Sequence, residues 1–170
     1  GIASRHEYTK ETAAPRQEPT QVLLRWPSTW TEGEREINST VVAHRNECTF
    51  CTTAHTAAAV ILLGEENTSA EVKRNIATAP VSDKMKALLT IAAQVQTGGK
   101  NVTPDHIKHA KDAGATDLAI HDTVLIAALF CLYNRYVDWL STVPPTAPVF
   151  YKGLAGRLQN NGYKRVAYGV

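Results

Sequence analysis

The 170 residues, 44% hydrophobic and 20% charged, suffice for one globular domain with its own core. Eighteen lysines and arginines interspersed with sixteen acids form no basic stripe, which excludes the electrostatic footprint of a nucleic-acid or acidic-membrane binder. Three cysteines, only two of them close together, argue against a secreted disulfide framework and for a reducing cytoplasm.

Residues 1–28 read as a polar N-terminal arm punctuated by Pro15, Pro19 and Pro27. Its apolar patch, Val22-Leu23-Leu24 with Trp26, can pack on its own domain or on a neighbouring subunit. The amino end lacks the apolar core of a signal peptide, and no apolar run is expected to reach the length of a membrane span. A helical domain is expected over residues 29–170. Thr31-Glu32-Gly33-Glu34 opens a helix as a capping box, and the helix runs to about His44. After the break at Arg45-Asn46-Glu47, a second helix starts near Thr49, is apolar from Ala57 to Leu63, and stops at Gly64.

A short polar helix follows Thr68 and ends by Pro80, and Ser82 caps a helix through about Gln96 with apolar residues every three or four positions. Thr103-Pro104-Asp105 places a cap before a proline at the first helical position, and Gly114 closes that helix. Thr116-Asp117 begins the longest element, which runs to about Ser141 without Gly or Pro. It is apolar on so much of its circumference that it must be central in the domain or covered by another subunit. Pro144-Pro145 ends it, and a last helix runs from about Thr146 to Asn160. No stretch alternates with the period of a strand, so the fold class is all-α, with about six to seven helices.

The chemistry concentrates between Glu36 and His55. On a helix starting near Thr49, Cys48, Cys51 and His55 fall at steps of three and four and share a face. A thiol in the first turn of a helix is made acidic by unpaired backbone N–H groups and the helix dipole. His55 can take the Cys51 proton, and Glu36 can orient the imidazole. Cysteines three apart in a helix have Cβ atoms about 5–6 Å apart, so a disulfide between them needs local distortion and should be easily reduced.

Arg35-Glu36, eleven intervening residues, Cys48-Thr49-Phe50-Cys51 and His55 resemble the alkylhydroperoxidase D-like branch of the carboxymuconolactone decarboxylase family. The Ala-rich run after His55, Ala127-Ala128-Leu129-Phe130 with Tyr133-Asn134-Arg135, and the closing stretch from Leu154-Ala155 to Asn161-Gly162-Tyr163 extend it from about Thr31 to Tyr163. The resemblance implies an all-helical subunit of a homo-oligomer that reduces a hydroperoxide substrate and is restored by a dithiol or thiol-protein reductant. By position it makes Cys51 the peroxidatic thiol, Cys48 the resolving thiol, and Glu36 with His55 the proton relay. No metal or flavin is required. Peroxidase members have a second histidine just before the later cysteine, where this chain has Phe50. A shorter relay is therefore expected, with His44 as a possible substitute on the face of Glu36.

Other readings of these residues stand beside this one. Cys48, Cys51 and His55, with Glu36 as a fourth ligand, could hold zinc. The lyase branch of the same superfamily would use the cavity without the thiols. A helical redox-sensing oligomer would form the disulfide without turnover. Cys131 is expected to be a buried small hydrophobe, and Asn134 and Arg135 to make structural or subunit contacts. His106, His109 and His121 stand apart from any cysteine or carboxylate cluster. The aromatics Trp26, Trp30, Tyr133, Tyr136 and Trp139 are expected in core or interface, one or two of them lining a peroxide pocket.

Overall fold

The structure is a computed structural model that describes residues 10–139 and 143–163, the side chains of residues 10–14 excepted. Eight α-helices and two 3-10 turns, with no strand, make up the fold among the described residues. They are α1 (Lys10–Arg25), α2 (Glu32–Arg45), α3 (Thr49–Leu63), α4 (Asn67–Arg74), α5 (Asp83–Thr97), α6 (Pro104–Asp112), α7 (Asp117–Trp139) and α8 (Pro148–Asn161). The expected end of the long helix at Ser141 lies outside the described residues. The helix beyond the six or seven expected is α1, inside the stretch read as an arm.

Helix α2 is the centre of the molecule. Thr31 and Glu34 form the capping box that starts it, and every residue from Arg35 to Ala43 is buried. Ile37 and Val41 pack with Leu88, Leu89 and Ile91 of α5 and Ile120 of α7 in the main core. Each such residue, fully buried, contributes about 1.5–3 kcal/mol relative to exposure. On the other side of α2, Val42 meets Leu24, Ile126 and Phe130 in a second cluster.

Leu24 carries α1 onto this second cluster, so the apolar patch of the first 28 residues packs on its own domain. Pro15 and Pro19 lie inside α1 but are exposed, leaving water to satisfy the carbonyls that lose a helical donor. Arg35, buried in α2, donates through Nη1 to the carbonyls of Leu23 (3.2 Å) and Trp26 (2.7 Å), which fixes the end of α1 against the start of α2. Between α2 and α3 the chain turns through Glu47, whose φ of 58° is left-handed.

Helix α7 is long and apolar enough, by length and composition, to cross a membrane, unlike the sequence-based expectation for any run in the chain. The core helix of a soluble protein meets the same measure. Here one face of α7 packs on α2, α5 and α1, burying Ala119, Thr123, Ile126, Ala127, Phe130, Asn134 and Val137.

Candidate active site

Glu36 lies in the second turn of α2 with no solvent exposure, and three donors converge on its carboxylate. Arg25 Nη2, from the last turn of α1, donates to Oε1 at 2.5 Å. The Tyr163 hydroxyl donates to the same oxygen at 2.7 Å. His55 Nδ1 lies 2.7 Å from Oε2. Burial alone would raise the Glu36 pKa, but the charges and hydrogen bonds of His55, Arg25 and Tyr163 outweigh it and hold the carboxylate below its ordinary range. An ionised carboxylate only accepts, so His55 carries its proton on Nδ1 and leaves Nε2 free as a base.

Aromatic rings enclose the imidazole. Phe130 meets it edge-on at 4.5 Å between centroids, and Tyr163 stacks on it at 6.2 Å. The Arg25 guanidinium covers the other ring at 4.9 Å from the Tyr163 centroid. Burial, then the Glu36 charge, pushes the Tyr163 phenol well above its ordinary range, so it acts as a donor. Gly162 makes this position of Tyr163 possible. Its φ of 62° is left-handed, and an added Cβ would collide with Gln21, whose Oε1 accepts from the Tyr163 backbone N–H at 2.6 Å.

Cys51 lies on α3 one turn before His55, and Cys48 is the N-cap of that helix; both are buried free thiols. Cys48 is in an extended conformation (φ −78°, ψ 96°), so it stands just outside the helical turn expected for it. The two thiols are unequal. Donation from Cys48, aided by the His55 charge and the Asn134 side chain and opposed by burial, lowers the Cys51 pKa. The same donation, then burial and the Asp138 carboxylate that accepts from it, pushes the Cys48 thiol far up.

Cys51 and His55 open on a cavity of about 160 Å³ walled by Phe50, Phe130, Tyr133, Tyr136 and Leu154. Phe50, at the position where peroxidase members carry a second histidine, forms part of this wall and packs at a tilt on Tyr151 with centroids 6.2 Å apart. Tyr133 and Tyr136 are thus the two expected aromatics that line the cavity, whereas Trp30 is in the main core and Trp26 and Trp139 are exposed.

The structure pairs Glu36 with His55 and Cys48 with Cys51, but among the described residues no three of His, Cys, Asp and Glu are placed to hold a metal ion. His44 is exposed and lines a separate groove with Lys73 and Arg74, away from Glu36. Cys131 is half-buried and accepts from Asn46 Nδ2 at 3.6 Å. His106 closes the capping box of α6 with Thr103, and His121 sits on the surface beside Asp122. Sequence reasoning missed Arg25 and Asp138, gave Tyr163 no role, and expected of Asn134 structural or subunit contacts. The first lies in the supposed arm, and the others come from α7 and the end of α8, far along the chain.

No family model matches the chain, and no curated protein matches it. Two solved structures are similar to it over 89% of its length and 78% of theirs, each with a TM-score of 0.80. One is an alkylhydroperoxidase AhpD core, an uncharacterized peroxidase-related protein from Ralstonia eutropha JMP134, at 21% identity. The other is an uncharacterized peroxidase-related protein from Silicibacter sp. TM1040, at 22% identity. The chain therefore adopts the all-helical fold of the alkylhydroperoxidase D core.

Proposed function

We propose that the protein is a thiol-dependent peroxidase that reduces a hydroperoxide at Cys51. The observation that carries this reading is the Glu36–His55 pair, 2.7 Å apart, one helical turn from a thiol whose acidity is raised and which faces a cavity. His55 Nε2 takes the Cys51 proton, and Glu36 stabilises the imidazolium. The thiolate attacks the terminal peroxide oxygen and the O–O bond breaks. Cys51 becomes a sulfenic acid, and the departing alkoxide takes the proton from His55 and leaves as an alcohol. Cys48 then attacks the Cys51 sulfur and forms the disulfide. Asp138 receives the Cys48 proton and passes it to the leaving hydroxide, which departs as water. A dithiol or thiol-protein reductant restores both thiols and is itself oxidised to a disulfide.

The odd cysteine count supports work in a reducing cytoplasm. We place the activity in a homo-oligomer. The test is mass spectrometry after one equivalent of cumene hydroperoxide. The wild type is expected to lose two mass units as a Cys48–Cys51 disulfide, Cys48→Ser to stop at the sulfenic acid, and Cys51→Ser to consume no peroxide. Undiminished consumption by Cys51→Ser removes the assignment.

A further inference from the structure

Asn134 is fully buried in α7, one turn after Phe130, which edges His55, and one residue-step of three before Val137, which packs on the two thiols. Its oxygen is engaged. Asn46, at the end of α2, donates from Nδ2 to Asn134 Oδ1 at 2.8 Å. Asn46 Oδ1 in turn accepts from Gln96 Nε2 at 3.0 Å, and Gln96 Oε1 accepts from Arg45 Nε at 3.3 Å. A guanidinium only donates, so Arg45 sets the direction of every amide in this series. Asn134 Nδ2 is therefore turned away from Asn46. It has no hydrogen-bond partner among the described residues. A buried amide nitrogen left in this way is costly unless something nearby completes it, and the neighbouring acceptor is the Cys51 sulfur, which packs with Val137 of the same helix and whose pKa the Asn134 side chain helps to lower.

We propose that Asn134 is a catalytic residue that holds the Cys51 thiolate with its side-chain amide, and that Arg45, Gln96 and Asn46 position it. A neutral donor thus stands beside the reactive sulfur in a chain where Phe50 occupies the second-histidine position. As Cys51 loses its proton to His55, the Nδ2–H of Asn134 gains an acceptor. When the sulfur is oxidised, the same N–H is free to turn to the sulfenic oxygen. The other ionisable groups facing Cys51 are Cys48 and His55 of α3, Asp138 of α7 and Tyr151 of α8, and all remain in the variants used below. The role in the reaction rests on the peroxidase reading; the role in holding the thiolate does not.

The experiment is the pH profile of Cys51 alkylation by iodoacetamide in the full chain, followed on the Cys51 peptide by mass spectrometry, so that no peroxide is involved. Asn134→Leu is expected to move the midpoint up by about one unit, roughly tenfold less thiolate below it, and to slow disulfide formation by peroxide in proportion. Gln96→Glu, at a half-buried position, can still accept from Arg45 but cannot donate to Asn46; it is expected to move the midpoint in the same direction by a smaller amount. An unchanged profile in a folded Asn134→Leu overturns the proposal, and if that variant fails to fold, an unchanged profile in Gln96→Glu does so. A wild type that forms no disulfide with peroxide, alongside a raised midpoint in the variants, upholds the thiolate contact and removes the peroxidase reading.

Discussion

Glu36 is a fully buried carboxylate, and its charge is tolerated only because Arg25, Tyr163 and His55 all bind it. Removing one member of a buried ion pair strands the other, at a cost of about 3–5 kcal/mol. Arg25→Met is expected to destabilise the fold by that order, read as a fall in the urea midpoint. The pH dependence follows from the lowered Glu36 pKa. The unfolded chain binds the proton more readily, so this stability is fully present above the ordinary glutamate value, about 4.3, and is lost as pH falls toward the folded value. Urea midpoints from pH 7 to pH 3 should fall steeply at the acid end for the wild type, and Glu36→Gln should lack that part of the slope. The pairing of Glu36 with His55 was foreseeable from the resemblance of their spacing to the alkylhydroperoxidase D-like pattern, since periodicity sets only each residue's place on its own helix. Arg25 and Tyr163 were not, because a charge in a proline-bearing segment and a tyrosine after a helix acquire partners only through tertiary packing.

Helix boundaries follow their caps closely. Thr31, Ser82 and Thr103 each accept from the backbone N–H three residues on, and α2, α5 and α6 begin where those residues imply. Helix α1 had no such signal. Its two prolines mark it as an arm, and tertiary contacts hold it as a helix, among them the docking of Leu24 and the contact of Thr20 with the Tyr133 hydroxyl of α7, 2.6 Å apart. The end of α8 is set by Gly162, whose left-handed turn delivers Tyr163 to the carboxylate. Gly162→Ala is expected to cost about 1–3 kcal/mol in strain and to displace the tyrosine. A lower melting temperature and slower Cys51 alkylation at neutral pH would report the two effects together. A melting temperature unchanged from wild type would contradict the first.

At the scale of the molecule, α7 has two apolar faces, and among the described residues only one is packed. Leu118, Leu125, Leu132 and Trp139 recur every seven residues on the outer face and are between 42% and 88% exposed. Seven-residue spacing is the repeat by which one helix lies along another. The homo-oligomer proposed above should use this face: Leu125→Glu combined with Leu132→Glu is expected to lower the mass measured by light scattering without unfolding the chain. The all-helical class was legible because each helix carries its own periodicity, whereas the division of α7 into inner and outer faces depends on which neighbours the fold supplies. The closure of the site has a consequence for the order of folding. Tyr163 reaches Glu36 across 127 positions of sequence, and Arg25 arrives from the opposite direction, so the carboxylate is completed only when both ends of the helical array have docked. Contacts so distant in sequence form late. Until they form, the buried Glu36 carboxylate has one of its three donors, and the site is the last part of the fold to be completed.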